Sequence, residues 1–362
     1  MRNFKNELKE LTEILGVSGF ETKVKEFLVN MVIKSCTNLW EDSYGNLIAK
    51  CGSDKGYKIG IFAHMDEVGF IVSSVSAIGL LSFEVMGMVD EKILPGSEVL
   101  VLTKTGKAIK GVIGNKSKHL QKLEDDTAKI SYRKLTIDVG ARSYDEAISM
   151  GISVGSPVSF ATKCTFYDNG MVLAKSLDDR VGCLALATLI NEIGSKLDDV
   201  TLYGFFTVQE EIGARGASCV ANGLGLDMYI CLDTVPVQNG NDIGYNELNL
   251  GRGPLIRISD GMPQFMMGAI SKAELVDRAI KIAEENNIPY VCDVLHCTFL
   301  DSCTAQFTDN GVPGVSICFP RRYSHTGIEM CYLPDIDNAM TLLNLLVMSL
   351  DKEPIKFGKV YK

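Results

Sequence analysis

Apolar residues fall into two kinds of run along this chain. One kind is short and nearly continuous, at 57–63 (YKIGIFA), 200–208 (VTLYGFFTV), 227–232 (DMYICL) and 314–319 (GVSICF). Runs of this length, rich in Val, Ile and Phe, predict strands buried on both faces. The other kind repeats at helical spacing and predicts helices over 179–193, 272–286 and 335–350. The first twenty residues also read as an amphipathic helix, with Phe4, Leu8, Leu11 and Leu15 on one face. Strands alternating with helices in this way predict an α/β fold, a mixed central sheet flanked by helices.

Between 70 and 162 the texture changes. GFIVSSVS, LLSFEVMG, SEVLVLT, AIKGVIG and LTIDVGA are short strand patterns punctuated by Gly, Pro and Lys, and only SYDEAISMG looks helical. This predicts an inserted all-β domain over 70–162. The flanking pieces, 1–69 and 163–362, are then expected to form one discontinuous α/β domain. A length of 362 residues suits two such units better than a single core. No internal repeat or low-complexity tract is visible.

Composition removes several classes of partner. The net charge is -9 and no block of basic residues stands out beyond FPRRYSH, which argues against nucleic acid and anionic membrane. The longest apolar stretches, VGCLALATLI and LLNLLVMSL, fall well short of the roughly 20 residues that span a bilayer. The N-terminal pattern is not that of a signal peptide, so a cytoplasmic location is expected. Eleven cysteines occur with no CxxC spacing, several in apolar runs, and read as small buried hydrophobes in a reducing compartment.

The predicted strands share one property that changes this bland picture. The first runs into His64 and Asp66, the second into Glu210 and Glu211, the third into Asp233, and the fourth is followed by His325. In an open α/β sheet the carboxyl edge of the strands is where ligands bind. Asp178 and Asp179 stand just before a predicted helix, where one can cap free N–H groups and leave the other to point elsewhere. Two adjacent glutamates would ordinarily be a solvated loop pair. With two of the four histidines at the same edge, they read instead as part of one site. A mixed set of imidazoles and carboxylates suits Zn²⁺, Co²⁺ or Mn²⁺. Five ligands suit two divalent metal ions about 3.5 to 4 Å apart that share a carboxylate. One glutamate would then be a ligand, and its neighbour a base that takes a proton from an acidified water.

Taken together, the stretches GVSGFE, AHMDEVGF, GVIGNKSKHL, IDVGARSYDEA, SLDDRVGC, QEEIGARGA, LDT, LGRGPLI and PRRYSHTGIE resemble a known family. It is that of the cytosolic cocatalytic metallo-aminopeptidases, which includes deblocking, glutamyl and tetrahedral aminopeptidases. The resemblance implies a di-metal exopeptidase fold whose β-rich insertion serves dimerisation. It further implies a homo-oligomer, up to a tetrahedral dodecamer, that removes N-terminal residues from short peptides. By the same resemblance His64, Asp178, Glu211, Asp233 and His325 hold the metals, with Asp178 as the bridge. His64 and Asp233 would share one ion, and Glu211 and His325 the other. Glu210 would be the general base, and Asp66 would orient His64.

One segment departs from the family pattern: HCTFLDSCTAQFTDNGVP sets Asp301 between Phe-Leu and Ser, in a stretch expected to line the substrate pocket. Cys297 and Cys303 lie beside it, but no base is evident to activate either as a nucleophile. Two rival readings remain at this point. A glycoside hydrolase would also use paired carboxylates, yet it gives no role to His64 and His325. A non-catalytic metal-binding scaffold would keep the fold without turnover.

Overall fold

The computed structural model describes residues 2–120, 130–237, 248–262, 267–296 and 298–358. In chain order its helices are α1 (Lys5–Glu13), α2 (Thr22–Val32), α3 (Tyr144–Ser149), α4 (Leu177–Ile193), α5 (Ala217–Val220), α6 (Ala273–Glu285), α7 (Ser302–Ala305) and α8 (Leu333–Lys352). The first strands are β1 (Asn38–Glu41), β2 (Leu47–Gly52) and β3 (Tyr57–His64). A second group follows as β4 (Gly69–Val75), β5 (Leu81–Met86), β6 (Glu98–Leu102), β7 (Ala108–Ile113), β8 (Ile137–Asp138) and β9 (Pro157–Phe160). The rest are β10 (Thr165–Phe166), β11 (Met171–Ala174), β12 (Val200–Thr207), β13 (Met228–Pro236), β14 (Leu255–Met262), β15 (Met267–Ile270), β16 (Val291–His296), β17 (Gly314–Arg321) and β18 (Glu329–Tyr332).

The four continuous apolar runs become the parallel centre of a mixed sheet, in the order β12-β3-β13-β17. Antiparallel strands extend it on both sides, β2 and β1 beyond β12, and β14 and β15 beyond β17. β16 pairs in parallel with β14. The outer strands carry too few consecutive apolar residues to announce themselves in sequence, and their pairing with the centre supplies what local pattern does not.

Helices α1, α2, α4, α6 and α8 build the layer whose core contains Leu8, Val24, Leu186, Ala279 and Leu343. α4 lies deepest, between the sheet and α1, α2 and α8, and is buried on nearly all sides. That explains why Cys183, Leu184, Ala185 and Leu186 succeed one another without a polar stripe. The opposite face is covered by α5 and α7 over a second core around Phe62, Phe205 and Tyr229. The amphipathic N-terminal helix is shorter than its pattern and ends at Glu13, although Leu15 beyond it is still buried.

Strands β4-β5-β8-β7-β6-β9 close into a barrel with its own core of Phe70, Phe83, Val99, Val101, Ile137 and Phe160. β9 escapes a pattern search because it is four residues long and opens on proline, which is tolerated at a strand's first position.

A buried polar knot joins the barrel to the sheet. The Glu67 carboxylate, just past β3, accepts hydrogen bonds from Gly16 N, Lys175 Nζ, Ser176 Oγ and, on the last barrel strand, Ser159 Oγ. Burial works against the carboxylate, but Lys175 and Arg180 hold it ionised, below its ordinary range. Burial pulls Lys175 down to about 8, which leaves it charged at neutral pH. Such a pair is tolerated only because each lone pair and proton is matched.

Candidate metal centre

β3 ends on His64, directly opposite Thr207 at the end of β12. Past Thr207 the chain turns through Gln209, with a left-handed φ of 59°, into Glu210 and Glu211. β13 runs farther than its apolar pattern: it leaves β3 after Cys231 but stays paired with β17 as far as Pro236 and Arg321. Asp233 therefore stands on a strand that has stopped pairing with β3 but still pairs with β17. β17 delivers Arg321, and four residues later His325 adopts a left-handed φ of 55°. A third left-handed residue, Ser176 (φ 57°), precedes Asp178. Non-glycine residues in this region are costly, and their clustering on the three segments that feed one point is the mark of a site held in place by its surroundings.

The centre of that point is Asp178. His64 Nε2 lies 3.1 Å from its Oδ1, and His325 Nε2 lies 3.3 Å from its Oδ2. Around this axis, Glu211 Oε2 is 3.4 Å from His325 Nε2, while Glu210 Oε2 and Asp233 Oδ1 are each 3.9 Å from His64 Nε2. Donor atoms of His64, Asp178 and Glu211 fall within 4.8 Å of one another, as do those of Asp178, Asp179 and Asp233. His64, Asp178, Asp179, Glu210, Glu211, Asp233 and His325 thus converge, although their chain positions span 64 to 325.

Tautomers follow from the partners. His325 Nδ1 lies 2.8 Å from the Met88 carbonyl oxygen, and His64 Nδ1 lies 3.2 Å from the Asp66 carbonyl. A carbonyl only accepts, so each Nδ1 carries hydrogen, and each Nε2, turned to a carboxylate oxygen, either carries a proton or presents a lone pair. Two acceptors at hydrogen-bond distance require a proton or a cation between them.

Ionisation shows the same surplus of negative charge. Burial pushes Glu210 and Asp233 well above the ordinary carboxylate range and Glu211 up to about 7. Burial opposes ionisation of Asp178 too, but Arg321 and the imidazoles hold it well below its usual value. Burial would lower His325, yet Glu211 and Asp178 raise it to about 9. Buried Glu210 Oε1, Glu211 Oε1 and Asp179 Oδ2 have no hydrogen-bond partner. Carboxylate oxygens without a protein partner, beside the imidazole Nε2 atoms, fit divalent cations.

Several neighbours fix this arrangement. The Asp66 carboxylate accepts the backbone N–H of Glu210 (2.9 Å) and of Glu211 (3.2 Å), and the Ser18 hydroxyl (2.6 Å). It also stands 3.4 Å from His64 Nδ1, so it aligns the glutamate pair as well as the imidazole. Glu21, from the N-terminal GVSGFE stretch, accepts the Gln209 N–H. Asp179 caps α4 through Gly182 N at 3.0 Å, while Asp178 faces the cluster. Gly87 on the barrel has φ 88°, and a Cβ there would come within 3.4 Å of Glu211 and 2.8 Å of Val68. Only glycine lets the barrel approach this closely and set Met88 against His325.

Arg321, Glu329 and Met88 have no counterpart in the sequence reading. Arg321 pairs with Asp178 at 2.8 Å and with Glu329, whose other oxygen accepts Asp178 N at 3.1 Å. A buried arginine at the end of an apolar strand was the available signal, since its charge demands a partner. The Met88 contact runs through a backbone carbonyl and leaves no trace in residue type.

The site opens into a cleft of about 1030 Å³ lined by Asp178, Glu210, Glu211, Asp233 and His325 from the centre, and by Thr298, Phe299 and Leu300 from the segment before Asp301. Asp301 itself is buried beneath, its Oδ2 accepting the Thr207 hydroxyl, and burial pushes it to about 6. Cys303 is buried with its thiol pushed up by burial, unsuited to nucleophilic attack. Cys297 lies outside the described residues.

Imidazoles and carboxylates gathered at the carboxyl edge of a mixed α/β sheet, with an adjoining barrel, define a metal-dependent hydrolase. More particularly, the chain belongs to the M42 glutamyl aminopeptidase family, whose model matches residues 45–342. It is 28% identical to a glutamyl aminopeptidase of Lactococcus lactis, covering 98% of this chain and 99% of that one. It is equally 28% identical to a lysyl aminopeptidase of Pyrococcus furiosus, covering 97% and 98%. The structure superposes on the TET1 peptidase of Pyrococcus horikoshii, which can assemble into a tetrahedron or a large octahedral shell, with a TM-score of 0.83 at 30% identity over 95% and 99% of the two chains. The protein is a hydrolase, a metallo-aminopeptidase that acts on peptides with divalent metal ions. Among the described residues no helix is long and apolar enough to cross a membrane.

Proposed function

We propose that this chain is a two-metal aminopeptidase that releases the N-terminal residue of short peptides. The observation that carries the reading is Asp178 standing between the two imidazole Nε2 atoms, one on each carboxylate oxygen. Asp178 would bridge the ions, with His64 and Asp233 completing one and Glu211 and His325 the other. When bound, Zn²⁺, Co²⁺ or Mn²⁺ supplies Lewis-acid polarisation of the scissile carbonyl and acidifies a water molecule.

Glu210 takes the proton of the attacking water on a carboxylate oxygen as the new C–O bond forms, and returns it to the amine as the C–N bond breaks. Its Oε1 is buried, without a partner, in a residue that lines the cleft, which leaves it free for that proton. Asp66 holds the Glu210 and Glu211 backbones so that adjacent carboxylates diverge into different roles.

Dialysis against a chelator is expected to abolish hydrolysis of aminoacyl p-nitroanilides, and add-back of one of the three metals to restore it at two ions per chain. N-acetylated peptides are expected to be inert. Chelator-resistant turnover would instead favour a metal-independent hydrolase of the glycosidase type, and no turnover with any of the three metals would favour a binding scaffold.

The same reading assigns 1–69 and 163–362 to a discontinuous catalytic domain and 70–162 to an inserted dimerisation domain, in a cytoplasmic protein. The likeness to a shell-forming peptidase supports a homo-oligomer, up to a tetrahedral dodecamer, that admits only short peptides. Sedimentation of the native protein is expected to give a multiple of the 39.5 kDa chain mass. A monomer at micromolar concentration would remove the assembly from the proposal.

A further inference from the structure

The relatives named above release residues of opposite charge at the same identity, so overall likeness does not choose the side chain. The cleft wall does. On the side away from the barrel it is built from Pro236, Met262, Met267, Phe299 and Leu300. Met262 and Met267 are direct cross-strand partners of β14 and β15, which puts their side chains on one face of the sheet. Pro236 follows Asp233 by three residues on β13, so this apolar wall begins beside the metal centre.

We infer that this wall receives a large apolar N-terminal side chain, that of methionine, leucine or phenylalanine, with Met262, Met267 and Phe299 as the selecting residues. The inference rests on the aminopeptidase reading above and names its substrate class.

Charge accounting in the cleft points the same way. Among its described lining residues the cationic ones are Arg321 and His325. Arg321 is engaged by Asp178, Glu329 and Ser324 Oγ (2.6 Å), and His325 faces Asp178 and Glu211. An acidic substrate side chain would be desolvated there without a partner, which is strongly unfavourable. Arg257 lies directly behind the wall but is buried and committed to Asp260 (3.2 Å), Asp293 (3.1 Å) and the Thr298 hydroxyl (2.5 Å). Its work is to brace the turn that carries Phe299, since Thr298 also donates to Asp260. A basic side chain fares little better. Outside the metal centre the lining acids are Asp90 and Glu91 on the barrel side, and Asp90 is exposed with its carboxylate accepting Lys92 N–H. An ion pair in such a solvated position adds little. The sulfur-rich wall is polarisable and adaptable, suited to apolar side chains of differing shape.

The test compares kcat/KM of the metal-loaded enzyme on methionyl, leucyl, phenylalanyl, glutamyl and lysyl p-nitroanilides. At least one apolar substrate is expected to exceed both charged ones by about tenfold or more. Met262→Lys, made with metal content and thermal melting as folding checks, is expected to move the leucyl-to-glutamyl ratio by a similar factor toward glutamyl. A wild-type preference for glutamyl or lysyl substrate overturns the inference, as does a folded Met262→Lys whose ratio is unchanged. If Met262→Lys does not fold, the wild-type ranking decides. Turnover of none of the five substrates overturns the aminopeptidase reading itself, and the inference falls with it, a result distinct from a reversed ranking.

Discussion

Glu210→Gln is expected to lower kcat by about two to four orders of magnitude, the usual contribution of a positioned general base. The carboxamide keeps the side chain's size, and the backbone N–H that Asp66 accepts is untouched, so the segment stays in place. Two ions per chain are expected to remain, measured by elemental analysis of dialysed protein. Burial pushes the Glu210 carboxyl far above its ordinary range, and positive charge bound at the centre acts in the opposite direction. Activity within tenfold of the parent would show that another group carries the proton. The neighbour serves as an internal control, because a ligand role for Glu211 makes Glu211→Gln lose metal as well as turnover.

Asp178→Asn has the other large effect, and it acts through binding. Asp178 offers one oxygen to each imidazole and pairs with Arg321 as well. An asparagine puts an N–H₂ donor where a cation must be met, and it removes the negative charge shared between the two ions. Metal affinity is expected to fall by more than about 100-fold, with one or both ions lost on dialysis and activity lost with them. Titration with Zn²⁺ followed by calorimetry reads this directly. Unchanged stoichiometry would move the bridging role to another carboxylate, and Asp179 and Asp233 are the nearest candidates, since their oxygens lie within 4.8 Å of those of Asp178.

Local pattern made a large part of this molecule legible. Continuous runs of Val, Ile and Phe marked the four parallel strands because a strand buried on both faces has no polar side to show. Helical spacing marked α6 and α8 because each keeps one face in solvent. α4 was found by the same spacing, although it is enclosed on nearly all sides. The outer strands β14, β15 and β16 and the barrel strand β9 were not visible, being short or interrupted by polar residues, glycine or proline. The end of β13 was placed too early, since nothing local says that β17 continues beside it to Arg321.

The candidate site divides along the same line. The chain by itself singled out the residues proposed to carry the chemistry, because acids and histidines following buried strands have no bland explanation that covers all of them. Only the tertiary structure decided their relations. It set Asp178 between His64 and His325, turned Asp66 toward the Glu210 and Glu211 backbones, and brought the Met88 carbonyl from the barrel against His325. It also gathered Met262, Met267 and Phe299 into one wall. Residue type records a side chain's possible chemistry, whereas distance and direction come from contacts between segments hundreds of residues apart, and backbone groups such as the Met88 carbonyl leave no mark in the sequence at all.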